Sequence, residues 1–281
     1  MSEQVQLKLT EWGLLDPSFV VSDRGVNIRP STGKWGPQSQ SAWERLAELF
    51  GRDPKTPDIS GINTPEPIRN SGDNEAFKLA KYYQERGWFI ARGNEVYNFV
   101  GLEGISSNWK PNGDRPDLYN DLFVAFQVEF SGACQILDIW PQTMEPGRRW
   151  TERPMNPGGA ARIYIGSNGE GCQYKAWQVG MHGQARPHEA LVQTGGEVIV
   201  CRDRNKDYMR TGDRVDRGMF GINLHAGEGE TIGAWSAGCQ VIQGFANHEA
   251  RMRLAKRDRR YKANNRYTFI YAAMDGAKVF A

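Results

Sequence analysis

Apolar positions change their period near residue 88. Upstream, Trp43, Leu46, Ala47, Leu49 and Phe50 follow the i, i+3, i+4, i+7 spacing of a buried helix face. The Gly36-Pro37 turn opens that helix. A second helix is predicted over 75–86, with Asn74 as its cap and Ala76, Leu79, Ala80, Tyr82 and Tyr83 as its buried face. Gly87 ends it. Between the two, residues 51–73 are dense in Pro, Gly, Asn and Asp and read as an extended linker. From Trp88 onward the pattern is short alternating or apolar runs punctuated by glycine. It predicts strands at 88–91, 96–100, 122–130, 135–140, 161–166, 176–179, 190–193, 198–201, 221–225 and 240–242. A helix over 247–260 and a strand over 267–273 complete the series. No internal repeat is visible. The organisation is a small helical module over 1–50, a linker over 51–73, and a mainly β domain with peripheral helices over 74–281, an α+β chain overall.

Composition narrows this picture. At 281 residues the chain can bury one large core or two modest ones. The 32 Gly and 9 Trp favour a loop-rich β or α+β protein over a helical bundle. A net charge of +2 makes no case for nucleic acid. Cys134, Cys172, Cys201 and Cys239 are far apart and form no CxxC pair, so neither a zinc ribbon nor a disulfide framework is expected. Three of them read as buried packing residues. The polar start Met1-Ser2-Glu3-Gln4 is not a secretory signal, and no apolar run is long enough for a membrane helix.

Candidate chemistry concentrates near the C-terminal third. His225 follows an apolar run in Gly221-Ile222-Asn223-Leu224-His225, and Cys239 ends the turn Ser236-Ala237-Gly238-Cys239. The separation is 239 − 225 = 14 residues, the spacing of two neighbouring strands and their connecting loop. A thiol needs deprotonation to attack, and an imidazole can take its proton. Gly238 permits a sharp turn, so backbone N–H groups near Gly238 and Cys239 can face a developing oxyanion. Against this stands the reading of both residues as ordinary packing. Glycines at 221, 227, 233 and 238 favour turns, where chemistry is usually carried.

The segment from His225 to Cys239 resembles the signature of the L,D-transpeptidase catalytic domain, a His-Gly-type turn followed by Ser-x-Gly-Cys. The stretch from Arg210-Thr211-Gly212-Asp213 to Gly218-Met219-Phe220 is similar to that family's glycine-rich approach to the histidine strand. The resemblance implies a β-sandwich or barrel with peripheral helices, and cysteine acyl transfer on peptidoglycan stem peptides without a cofactor. It implies Cys239 as nucleophile, His225 as base, and Ser236 and Gly238 as the turn that shapes the site. The chain departs from the pattern in three ways. Its spacer is shorter, Ala237 stands where many members carry a second histidine, and Val241 follows Gln240 in place of the usual apolar-then-Arg or Asn pair. Transfer and hydrolysis both stay open. The Gly33-Lys34-Trp35-Gly36-Pro37 turn resembles that of small peptidoglycan-binding helical domains, and an ordinary loop-to-helix turn is the alternative.

Other residues take lesser parts. Arg148, Arg149 and Arg162 lie in Arg- and Gly-rich loops and are candidate anchors for stem-peptide carboxylates. His182 and Trp235 are candidates for lining the cleft. His182, His188 and His225 lack the spacing of a zinc set, and no metal is expected. The loop at 203–207 lacks the glycine and glutamate of a calcium loop, with Arg214 at its twelfth position. Residues 251–262 carry seven Lys or Arg and one Asp, which suits a solvated helix face or contact with anionic wall polymer or a membrane surface. With peptidoglycan as target and no signal, the reading is a phage lysis enzyme or a particle-borne wall-degrading enzyme acting after release. The alternative is a non-catalytic wall-binding or structural component of such a particle.

Overall fold

A computed structural model describes residues 3–30 and 33–280. In chain order the elements are α1 (Glu3–Glu11), β1 (Ser18–Ser22), β2 (Gly25–Arg29), α2 (Pro37–Phe50), α3 (Asn74–Glu85), β3 (Asn98–Glu103), β4 (Asp121–Val128), β5 (Cys134–Thr143), α4 (Arg148–Glu152), β6 (Ala160–Ile163), β7 (Cys172–His182), β8 (His188–Gln193), β9 (Val198–Asp203), β10 (Arg214–Gly218), β11 (Leu224–Gly227), β12 (Gln240–Gln243), α5 (Phe245–Arg257), α6 (Arg259–Ala263), β13 (Phe269–Asp275) and α7 (Ala277–Phe280). With 32% strand and 22% helix, this is an α+β fold dominated by strands.

Eight strands close a mixed barrel in the order β11-β12-β5-β4-β3-β13-β7-β8. The pairs β11–β12 and β13–β3 are parallel, and the others are antiparallel. Side-chain alternation divides the apolar residues between two layers. Phe99, Phe123, Trp140, Tyr271 and Leu224 belong to the main core. Val100, Leu102, Val124, Phe126 and Ala272 pack instead with Leu79 and Tyr83 of α3. Both faces of these strands are therefore buried, which explains the unbroken apolar run in β4. The antiparallel sheet β10-β9-β6 adds Ile163, Val198 and Val200 to the main core.

Several expected elements fall differently. Residues 88–91 form no strand, because side-chain amides replace the ladder. Gln173 bonds both the N–H and the C=O of Phe89, and Asn98 does the same for Ala91. The cap of α3 is Asp73, not Asn74; its carboxylate accepts from Ala76 N at 3.0 Å and from Ile136 N at 2.7 Å. Leu49 and Phe50 lie on the exposed side of α2, whose buried face is Ala42, Trp43, Leu46 and Ala47. The first fifty residues also hold the β1–β2 hairpin, so this part is not purely helical. Residues 51–73 hold no helix or strand, yet Glu66 N and Arg69 N donate to Phe130 and Gly132 in the β4–β5 turn.

The expected helix over 247–260 is broken at Asp258, which is fully buried. Its carboxylate caps α6 through Arg260 N at 2.8 Å and accepts from Tyr97 N at 3.0 Å. The basic run is consequently not one solvated face. Arg251 and Arg260 point inward, while Arg253, Lys256 and Arg257 are exposed. Among the described residues, no helix is long and apolar enough to cross a membrane.

Candidate functional site

Leu224 and Ala226 are fully buried, so alternation along β11 puts Asn223 and His225 on the opposite face, ~6.6 Å apart. The parallel partner β12 begins one residue after Cys239, and Gln240 N donates to Asn223 O at 2.9 Å. Cys239 therefore lies across from Asn223. Its thiol accepts from Asn223 N at 3.3 Å and donates to Gly221 O at 3.4 Å. Ser236 is fully buried and locks the turn; its hydroxyl donates to Cys239 O at 2.8 Å and accepts from Gly238 N at 3.1 Å. Gly238 has φ +135°, and a Cβ there would meet Ala161 O at 2.5 Å, so only glycine fits. With its N–H taken by Ser236, Gly238 has no free donor for an oxyanion. Among the described residues the Cys239 N–H has no acceptor.

All four histidines of the chain gather here. His225 stacks face to face on His182 with ring centroids 3.9 Å apart. His188 lies 5.5 Å from His182 and 5.2 Å from His248. Hydrogen bonds settle which nitrogen carries each proton. His225 Nδ1 faces Ala226 O at 2.7 Å, so it is protonated and Nε2 keeps its lone pair. Asn223 Oδ1 accepts from Gln193 N at 2.9 Å, which turns its Nδ2 toward His182 Nδ1 at 3.0 Å. His182 is then protonated on Nε2. His248 gives Nε2–H to Glu189 O at 2.6 Å and receives Arg251 on Nδ1 at 2.8 Å.

The electrostatics keep these groups neutral. Burial, then the neighbouring His182, brings His225 down to about 3. Burial, then Arg251, brings His248 down to about 2. Burial pushes the Cys239 thiol up to about 11, opposed by the hydrogen bond from Asn223. The residue keeps part of its surface in water, which relieves some of that penalty. No hydrogen bond joins the thiol to His225, so at rest both the thiol and the imidazole are neutral. Cys134, Cys172 and Cys201 are buried and each pushed up to about 11 by desolvation.

The rim is aromatic and basic. Trp235 is 37% exposed and lies edge-on to Phe245, over whose ring Arg186 stacks at 3.5 Å. Arg148 and Arg149 are exposed at the start of α4, which the structure makes a short helix in place of the expected loop. Gly147 N bonds Ser236 O at 2.9 Å, and Trp150 Nε1 bonds Ala234 O at 2.9 Å, so α4 borders the cysteine turn. Asp117 pins both sides, accepting from Arg148 N and Gly233 N at 2.8 Å each.

Arg162 does not belong to this rim. It is 1% exposed on β6, with its guanidinium held bidentately by Glu145 and beside Asp203 at 3.7 Å, so it has no free fork for a substrate. Glu103, Asp114 and Glu145 bring carboxylate oxygens within 4.8 Å of one another. Arg162 and Arg210 already neutralise that cluster. Burial and Glu103 raise Asp114 to about 8 and Glu145 to about 7, so little anionic charge remains for a cation. A depression of 860 Å³ between α1 and residues 84–92 is lined by no cysteine or histidine.

Asn223, Gln193, His188, His248 and Asp117 are site residues that motif reading left unassigned. Gln193 fastens the segment under the thiol, accepting from Phe220 N and Ile222 N. One signal was available: Asn223 and His225 alternate with Leu224 and Ala226, and so share a face. No protein-family profile, curated protein or solved structure matches the chain.

Proposed function

We propose that this chain is a cysteine-nucleophile acyl-transfer enzyme with an L,D-transpeptidase-like fold, acting on peptidoglycan stem peptides. The observation that carries the proposal is a histidine with its Nδ1 proton committed to Ala226 O and its Nε2 lone pair free, one strand from Cys239 in a Ser-x-Gly-Cys turn. In this reading Cys239 Sγ attacks a peptide carbonyl while His225 Nε2 takes its proton. The proton passes to the leaving amine, and the thioester is resolved by water. Ser236 and Gly238 shape the turn. Trp235, Arg148, Arg149 and His182 are the residues that stem-peptide carboxylates would meet around the cysteine turn. A wall-degrading enzyme borne by a phage or an injection particle fits this chemistry.

A second reading is favoured by one observation. The thiol is pushed up to about 11 and makes no hydrogen bond with His225, as in a wall-binding particle component that retains the fold without turnover. Mass spectrometry of muropeptides, after purified sacculi are incubated with wild type and with Cys239→Ala, separates the two. Loss of a terminal residue or of cross-links with wild type alone supports the enzyme. Identical muropeptides from both, with the protein sedimenting on the sacculi, overturn it.

A further inference from the structure

The turn that presents Cys239 leaves the oxyanion under-provided. Gly238 N–H, the donor expected there, is consumed by Ser236 Oγ. The Cys239 N–H remains free among the described residues. An acyl-transfer site works with preorganised donors around the tetrahedral oxygen, and a single one is a weak hole.

Resting on the cysteine acyl-transfer reading above, we propose that His182 is a further catalytic residue, a neutral imidazole whose Nε2–H joins the Cys239 N–H in holding the oxyanion. Three observations support it. Asn223 touches both partners, its backbone N–H 3.3 Å from the Cys239 sulfur and its side-chain amide 3.0 Å from His182. Gln193 N fixes that amide's orientation, so His182 Nδ1 is the acceptor and Nε2 carries the proton. His182 is half-buried, the free edge of a stack whose buried partner is His225. The two imidazoles thus hold opposite tautomers, one offering a lone pair and the other an N–H. Ala237 leaves no histidine in the turn itself to serve the same end.

The step balances with one travelling proton. The S–H bond breaks as S–C forms, and the proton goes to His225 Nε2. The carbonyl π pair moves to oxygen, where His182 Nε2–H and Cys239 N–H donate to it. As the pair returns, the C–N bond breaks and the imidazolium of His225 protonates the amine. His182 keeps its proton throughout. A neutral imidazole suffices as such a donor, since Asn223 occupies its other nitrogen.

The test compares two reactions of the same sulfur. Alkylation by iodoacetamide passes through no oxyanion, while muropeptide cleavage does. His182→Ala is expected to lower kcat on muropeptides by ~10²–10³ with KM little changed. Alkylation of Cys239 should stay within about twofold of wild type, because thiolate supply is unaltered. His182→Gln retains an N–H donor and should recover at least part of the lost kcat. Full kcat in His182→Ala, while Cys239→Ala is dead, overturns the proposal and leaves the acyl-transfer reading standing. An equal loss of alkylation and turnover also overturns it, since His182 would then act on the thiol itself and not on the oxyanion. A His182→Gln variant no better than His182→Ala overturns it too, since a positioning role needs no N–H donor. Wild type that cleaves no more than Cys239→Ala overturns the acyl-transfer reading itself, and the proposal with it.

Discussion

Following iodoacetamide alkylation of Cys239 against pH separates two kinds of cysteine site. A preformed thiolate–imidazolium pair alkylates at a rate that is already flat near neutral pH. A neutral pair does not. Burial pushes the Cys239 thiol from 9.0 up to about 11, even with the Asn223 N–H pulling the other way. Two pH units leave roughly 100-fold less thiolate at pH 8 than an unperturbed thiol has. The rate should therefore rise about tenfold per pH unit through pH 10. Residual contact of Cys239 with water makes the hundredfold figure an upper bound. His225 is held down to about 3 by burial and His182, so it carries no charge to assist the thiolate at rest. His225→Ala should leave the alkylation profile nearly unchanged while lowering turnover by ~10²–10⁴. Peptide mass spectrometry assigns the modified residue, and the other three cysteines are buried in the native fold. A plateau with a midpoint below pH 7, moved upward by His225→Ala, would refute the neutral-pair reasoning.

Three further outcomes are expected. Gly238→Ala should cost about 1–3 kcal/mol in backbone strain alone, with the contact at Ala161 O in addition, read as a lowered urea midpoint together with lost turnover; a midpoint equal to wild type counts against the local geometry. His225 and His248 have folded pKa values depressed to about 3 and about 2 from 6.5, so their stabilisation is present above pH 6.5 and lost as pH falls below it. Each should remove on the order of 2 kcal/mol by pH 5, and a urea midpoint that is flat from pH 7 to pH 5 would contradict this. Glu145→Ala removes the bidentate acceptor of buried Arg162 and should cost about 3–5 kcal/mol, measured by equilibrium unfolding above pH 7, where Glu145 is ionised; a cost under about 1 kcal/mol, the size of an exposed pair, would mean that the ion pair is solvated.

The parts of the fold legible in the sequence are those where one apolar period dominates. The runs behind β4, β9 and β13 announce strands because both of their faces are buried. The face of α3 is readable because Leu79, Ala80 and Tyr83 repeat at helical spacing. β10 reads Arg-Val-Asp-Arg-Gly and is held as a strand only by its pairing with β9, a tertiary fact without an apolar signature. The reverse error at 88–91 has the same origin. That stretch is apolar and extended, but its backbone partners are the side chains of Gln173 and Asn98, which no local pattern reveals.

The candidate site divides along the same line. Ser236, Gly238 and Cys239 lie within four residues, so the turn that presents the thiol is local chemistry and visible in the sequence. His225, the proposed base, is less local, and what sets its protonation state is less local still. Its tautomer depends on Ala226 O, which is near in sequence, but its neutrality depends on burial beneath His182 from β7 and close to His188 from β8. Those residues lie where β7 ends and β8 begins, at positions with no periodic meaning, and only barrel closure through the β8–β11 pair brings them to the cysteine. The same closure explains why Arg162, in a similar Arg- and Gly-rich stretch, is excluded. β6 turns it into the core against Glu145, while Arg148 and Arg149 stay at the rim on α4. A motif thus locates the proposed nucleophile, and strand register decides which of the distant polar residues lie near it.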